Sequence, residues 1–429
     1  ARHGRYRQTN TTSLIIMSSF DSLLSQFKRK HSAPNNSNLA NDQRKKRCQL
    51  TGTTSNGTED DADLNKTLTI TSSQPASPPP IGPVSNIYLL CPANVTTGGP
   101  EACHQLCQMI NRVVLDDEQD AYDEEKKVGG TAYVMYVELD EKNQQPLLVP
   151  TKHPKTPGIY EKYEPVVAKS TTAFDARDLI VFPEIWTEHL FSFAPKAQKS
   201  IWWLSVDNNK GQYFASLSSA ARGGKSNNNI RHFYQSEYAR NYLVRNGISE
   251  KCQALTKLFE YIPNERFVLS PGIISFVNHA KYDVDARDLD VVYNPVKGKH
   301  FTDEIIEQAK VMKSGIRFSA ISGEHGKRLT PDEVTVMLLR AKIYIDFGPH
   351  PGMDRLPREA ALAGCIVITN AQGAAGYDAD VPIPSTYKFC EFDVYKITAC
   401  LKESIQEYKA RREDFNEYRK WIEKQRSGM

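Results

Sequence analysis

The sequence contains no apolar run approaching the ~20 residues a membrane-spanning helix needs, and its mean hydropathy is −0.51. No integral membrane segment is expected, and the expected location is cytoplasmic or peripheral to a membrane. Charge of one sign is also missing. Lys and Arg total 54 against 51 Asp and Glu, a net +3, which gives no footing for a general nucleic-acid or anionic-surface binder. No nucleic-acid partner is therefore expected, and basic residues must be judged locally. The eight cysteines, Cys48, Cys91, Cys103, Cys107, Cys252, Cys365, Cys390 and Cys400, form no CxxC pair and no zinc spacing. Reduced, mostly buried thiols are the expectation, and no metal site is predicted. Cys103, His104 and Cys107 do lie at helical spacing, but without further ligands they read as one core face.

What is present is material for large cores: 429 residues, 40% hydrophobic and 10% aromatic. Residues 1–84 stand apart, dominated by Ser, Thr, Asn, Lys and Asp and closing on a proline-rich stretch. Such a composition buries too little apolar surface to offset its ordering entropy, so a disordered tail is predicted. Its basic tract Arg44–Arg47 reads as a solvated charge run, and the Asn-x-Ser/Thr triplets at Asn10, Asn56, Asn65 and Asn94 carry little weight. Met17 resembles a more natural start than Ala1, so the leading residues are read as extraneous.

Order is predicted from Asn86. IYLLC reads as a buried strand, PANVTTGG as a glycine-rich turn, and the sequence from Pro100 as an amphipathic helix with Glu101 in its first turn. Further strands are predicted at 132–138, 179–183, 201–206 and 267–269, with a helix at 236–246; Trp202 and Trp203 read as core. A second series starts at LDVVY, from Leu289, and continues with a helix at 302–312, the strand IRFSAIS and a helix at 330–341 opened by Thr330, Pro331 and two acids. Alternation of this kind gives a mostly parallel sheet covered by helices. Two such domains are expected, 85–265 and 266–392, followed by a helical segment at 393–429 that could cross back to the first.

The densest chemistry lies in IYIDFGPHPGMDRLPREAALAGCIVIT, Ile343 to Thr369. A strand is followed by a polar loop with His350, Asp354 and Arg355, then by a helix with Pro357 in its first turn and Gly364 at its end, then by a second strand. In open α/β sheets ligands sit beyond the carboxyl ends of the strands, where Lys297-Gly298, Gly323, Glu324, His325, Lys327, His350, Arg355 and Glu359 all fall. Lys297 and Arg355 suit a phosphate, together with amides at helix N-termini, and Glu359 could accept hydroxyl hydrogen bonds from a sugar. Each also has a plainer reading: Glu359 complements a helix dipole, and Arg355 pairs with it at the surface.

The segments YLLCPANVTTGGPEACHQL, VVYNPVKG and YIDFGPHPGMDRLPREAALAGCIVIT together resemble a family of GT-B glycosyltransferases known mainly from bacterial capsule and lipopolysaccharide clusters. The resemblance spans roughly 86–389. It implies an α/β fold of two Rossmann-like domains facing a cleft, with a nucleotide-diphosphate-sugar donor on the second, a glycan or lipid-linked acceptor facing the first, and no metal. Donor-binding residues would be Lys297, Gly298, Gly323, His325, His350, Arg355 and Glu359. Gly98, Gly99 and Glu184 would line the acceptor side, Asp207 being a weaker candidate there.

Retaining members of the glycogen-synthase-like clan carry a Lys-Gly after the first donor-domain strand and two glutamates eight positions apart. Lys297-Gly298 matches the first element and Glu359 the second glutamate, which binds the donor ribose. Pro351 stands in place of the first glutamate, leaving His350 and Asp354 as positional candidates for its role. The arginine that often precedes the Lys-Gly is absent, Tyr293 and Asn294 standing there. The expected function is sugar transfer to an acceptor hydroxyl in glycan or polysaccharide synthesis, with retention implied by the clan. A catalytically silent binding module and a nucleotide-sugar epimerase remain alternatives, and the oligomeric state is open.

Overall fold

The computed structural model describes residues 84–120, 131–140, 147–209, 211, 213–214, 230–248, 255–257, 287–323, 326, 329–390 and 393–427. The expected tail, the strand at 267–269, the domain boundary near 265, Glu324, His325 and Lys327 lie outside these residues.

Among the described residues the first sheet has seven strands: β1 (Asn86–Pro92), β2 (Thr131–Asp140), β3 (Leu147–Pro150), β4 (Asp178–Pro183), β5 (Gln198–Trp203), β6 (Arg231–Tyr234) and β7 (Leu255–Lys257). Their spatial order is β3-β2-β1-β4-β5-β6-β7, and among the described residues only the β2–β3 pairing is antiparallel. Side chains alternate across a strand, so each strand supplies two cores. Leu90, Phe182 and Trp203 pack on one face, and Leu89, Val181 and Trp202 on the other. The adjacent tryptophans thus serve opposite faces, as core.

Among the described residues the second sheet has five strands: β8 (Leu289–Tyr293), β9 (Phe318–Ala320), β10 (Ala341–Asp346), β11 (Ile366–Asn370) and β12 (Lys388–Phe389), in the order β12-β11-β10-β8-β9 with every pairing parallel. β11 is buried along its whole length, which is why IVIT reads as an unbroken apolar run.

The helices are α1 (Gly98–Asp120), α2 (Glu237–Arg245), α3 (Lys299–Val311), α4 (Pro331–Arg340), α5 (Arg355–Leu362), α6 (Val394–Gln406), α7 (Tyr408–Arg411) and α8 (Asn416–Ser427). α1 begins two residues earlier than Pro100, taking in Gly98 and Gly99. α4 starts on a full capping box: the Thr330 hydroxyl accepts from the Glu333 amide at 3.3 Å, and the Glu333 carboxylate accepts from the Thr330 amide at 2.6 Å. α5 ends at Gly364, whose φ of +90° suits the missing Cβ. The described part of the C-terminal segment packs on the second sheet: Ile397, Leu401, Phe415, Tyr418 and Ile422 belong to the core around β8, β10 and β11.

Both sheets are doubly wound, and each has one place where the strand order reverses. In the first it falls between β1 and β4, in the second between β8 and β10. A crevice opens outside the carboxyl ends of the strands at such a point.

Candidate functional site

The chain returns to the second reversal point twice, once after β8 and once after β10. After β8 it turns through Lys297 and Gly298, the latter at φ 58° as the residue that opens α3. A Cβ on Gly298 would lie 2.7 Å from the Phe347 carbonyl and the Gly348 amide, and one on Gly348 would lie 2.8 Å from the Lys297 Cβ. The two loops therefore touch backbone to backbone, and glycine is required on both sides.

That closeness brings the predicted polar residues together. The Lys297 ammonium donates to Asp354 Oδ2 at 2.6 Å, and His350 Nδ1 lies 2.8 Å from the same oxygen. His350 Nε2 is 3.4 Å from the Asp346 carbonyl and 3.9 Å from its carboxylate. Burial pushes the Asp354 carboxyl up, but the His350 hydrogen bond and the Lys297 charge outweigh it and hold the group below the usual carboxylate range. The Asp346 carboxylate accepts from the Tyr344 hydroxyl at 2.9 Å and the Gly348 amide at 3.2 Å.

Among the described residues, Asp346, His350 and Asp354 form a group whose ligand atoms lie within 4.8 Å of one another. A cation there would compete with Lys297, which already serves Asp354.

α5 starts at Arg355, with Asp354 before it making no side-chain cap. Pro357 in the first turn supplies no N–H, so the set of amides an anion could use there is smaller by one. Arg358 is buried and turns back along the chain, donating to the Met353 carbonyl at 2.8 Å and the Asp354 carbonyl at 3.2 Å. Glu359, on the first turns of α5, is 5% exposed.

Arg355 is turned toward the first domain rather than lying at the open surface, its side chain 12% exposed. Its Nη1 reaches across to Glu101 Oε2 in the first domain at 2.5 Å, and Nη2 lies 3.5 Å from Gln105 Oε1. Glu101 also accepts from the Tyr163 hydroxyl at 2.6 Å. Its place in the first turn of α1 suggests dipole complementation alone. The partner 254 positions away is what sequence reasoning missed.

At the first reversal point, Gly98 and Gly99 open α1 after β1, while Glu184 follows β4. A Cβ on Gly99 would meet only Leu204 Cδ1 at 3.8 Å, an ordinary contact, so internal packing does not demand glycine here. Glu184 is 4% exposed, and its two oxygens accept from the Leu204 amide at 3.3 Å and the Ser205 amide at 3.1 Å. Burial raises its pKa to about 7 despite those hydrogen bonds. It thus organises the loop after β5. Asp207, in that loop, accepts from the Tyr238 hydroxyl at 2.7 Å.

The same loop joins the domains. The Val206 amide donates to the Pro351 carbonyl at 3.0 Å, and a Cβ on Gly352 would sit 1.8 Å from the Leu204 carbonyl oxygen. On the far side, buried Asp380 accepts from the Glu237 amide at 2.6 Å and the Tyr238 amide at 2.9 Å, so an acid of the second domain serves the N-terminus of α2 in the first. No sequence signal linked Asp380 to α2.

Gly323 follows β9, next to β8 but outside the reversal point, and none of the contacts above involves it. His104 is fully buried, with Nδ1 2.7 Å from the Pro100 carbonyl and Nε2 2.6 Å from the Tyr136 hydroxyl. With Cys103 and Cys107 it is core. Six described cysteines are free thiols, four of them buried.

Two facing α/β units of this kind, both doubly wound, form the GT-B arrangement that the sequence resemblance implies. No family model and no curated protein matches the chain. Solved structures similar to it include HepE from Anabaena in complex with UDP-glucose, at 12% identity over 79% of this chain and 95% of that one, TM-score 0.48. Sucrose-phosphate synthase from Thermosynechococcus elongatus is similar at 11% identity over 79% and 94%, TM-score 0.48. The catalytic domain of starch synthase IV from Arabidopsis thaliana bound to ADP and acarbose follows at 11% over 81% and 95%, TM-score 0.43. Likenesses this loose carry no weight for the site, and the fold stands on the sheet orders. No helix among the described residues is long and apolar enough to cross a membrane.

Proposed function

We propose that the chain is a glycosyltransferase that moves a sugar from a nucleoside-diphosphate donor to an acceptor hydroxyl, in glycan or polysaccharide synthesis. One observation carries the reading: the reversal points of two doubly wound sheets face each other, bridged by the Arg355–Glu101 pair, with Lys297, His350 and Asp354 gathered on one side. A phosphate-bearing ligand is best served at such a place by a cation and helix-terminal amides.

In this reading the donor diphosphate takes Lys297 and the N-terminus of α5, competing with Asp354 for the ammonium. Arg355 offers a second cation when it leaves Glu101. Glu359 holds the donor ribose. His350 and Asp354 flank the transferring sugar, in the region where Pro351 replaces an acid. The bond from the anomeric carbon to the diphosphate oxygen breaks and a bond to the acceptor oxygen forms. The acceptor proton passes to the departing diphosphate oxygen, and the nucleoside diphosphate leaves with its remaining charge stabilised by Lys297. The acceptor approaches from Gly98, Gly99 and Glu184, retention is the expected stereochemical course, and turnover needs no metal.

A panel of nucleotide sugars tests this, read first as thermal stabilisation and then as release of nucleoside diphosphate. Lys297→Ala and Glu359→Ala should each abolish donor binding, and normal turnover by both variants would sink the assignment. Pro351 and the internal pairing of Lys297 favour one second reading, a binding module without turnover. Stabilisation by a nucleotide sugar with no product under any acceptor would establish it.

A further inference from the structure

Lys297 and Arg355 both stand at the second reversal point, and an acid of the chain already pairs with each. Lys297 is served by Asp354 from its own domain at 2.6 Å. Arg355, the residue after Asp354, is served by Glu101 from the other domain, 254 positions away. Breaking the first pair rearranges one loop. Breaking the second undoes a side-chain link between the domains.

The Glu101 pair is built into a closed ring. Arg355 Nη1 donates to Glu101 Oε2 at 2.5 Å, and the Tyr163 hydroxyl donates to Glu101 Oε1 at 2.6 Å. Gln105 Nε2 donates to the Tyr163 oxygen at 3.1 Å, and Gln105 Oε1 lies 3.5 Å from Arg355 Nη2. Glu101, Gln105 and Tyr163 are all buried. Tyr163 closes the 3₁₀ turn Gly158–Tyr163, while Glu101 and Gln105 are neighbours one turn apart on α1. Burial and the bond to Glu101 push the Tyr163 phenol's pKa up, so it stays a donor to the acid. Both oxygens of Glu101 are thereby held, and one of them faces the guanidinium. An anion arriving at Arg355 would meet that carboxylate where water is largely excluded and like charges repel strongly. Arg355 can serve Glu101 or a ligand's anionic group, but not both.

We propose that Glu101, seated by Tyr163 and Gln105, is a charge latch: it occupies Arg355 until a diphosphate in the crevice takes its place, which couples anion binding to release of this link between the domains. The inference rests on the reading of the crevice as a diphosphate site, and adds a residue of the first domain that sets how tightly that site binds. The latch lowers the apparent affinity for an anion by the fraction of molecules in which it is open.

Calorimetric titration of the full chain with inorganic pyrophosphate, at fixed ionic strength, tests this. Glu101→Gln should bind pyrophosphate about tenfold more tightly than wild type. Tyr163→Phe keeps the acid but loosens its seat, and should gain about threefold. Glu417→Gln removes an exposed acid of α8, makes the same change in net charge and should leave the Kd at the wild-type value. An unchanged or weaker Kd in both Glu101→Gln and Tyr163→Phe overturns the latch, as does an equal gain in Glu417→Gln or the absence of binding by every protein in the series. If Glu101→Gln does not fold, Tyr163→Phe decides. Turnover of nucleotide sugars by the wild type is read separately: its absence defeats the transferase reading, while the pyrophosphate series still decides the latch.

Discussion

Glu184 commits both carboxylate oxygens to the Leu204 and Ser205 amides in a site from which water is excluded. Burial raises its pKa from 4.5 to about 7, so the folded protein binds a proton that the unfolded chain has released over that interval. Its contribution is complete below the unfolded value and is lost as pH rises through the folded one, a swing on the order of 3 kcal/mol. The melting temperature should therefore fall from pH 4.5 to 7 in the wild type, and Glu184→Gln should flatten that slope; parallel curves for the two proteins would refute the assignment. Glu101 and Arg355 offer a second test. Their side chains are 7% and 12% exposed, so Glu101→Gln leaves a largely covered guanidinium poorly matched. A loss of about 3 kcal/mol is expected, read by urea titration, with the charge-reversed pair recovering part of it. At this scale the sequence was legible where chemistry is local. Lys297, His350 and Asp354 were singled out as loop residues, and they meet at one carboxylate. Glu101 and Asp380 were not legible as partners, because what they bind is fixed by the packing of one domain on the other rather than by neighbours in the chain.

Elements built on local rules formed nearly as their residues dictate. Thr330 and Glu333 lock the start of α4, and Ser236 accepts from the Ala239 amide to open α2. Strand ends were less legible: β5 closes at Trp203, because the loop to Val206 is pulled toward Glu184 and Pro351. The loops after β8 and β10 show how tightly elements are seated. Gly298→Ala puts a Cβ against the Phe347 carbonyl at a positive φ, so a loss of about 1–3 kcal/mol is expected. A thermal melt reads the loss, and a nucleotide-sugar titration should show donor affinity falling further than in a surface variant of equal stability. Gly99→Ala meets only ordinary contact. It should leave stability within about 1 kcal/mol of wild type, and any effect on turnover would then mark a ligand rather than packing.

Across the whole molecule, main-chain groups take part in the joint between the two domains. Val206 donates to Pro351, Gly352 seats against the Leu204 carbonyl, and Asp380 takes two amides of α2. Asp380→Ala removes both acceptors and should cost about 2–3 kcal/mol, with X-ray scattering in solution reporting a larger radius of gyration; an unchanged profile would show the joint does not depend on this acid. Two domains could be read from the alternation of strands and helices, but their mutual placement could not. A main-chain joint also changes what Pro351 means. The hydrogen bond from Val206 uses its carbonyl oxygen, which every amino acid possesses, so that bond does not depend on the side chain at 351. Position 351 can therefore be edited like a socket: Pro351→Glu would install the acid that the glycogen-synthase-like pattern carries there while the two halves stay fastened, at no more than about 1 kcal/mol from the freer unfolded chain.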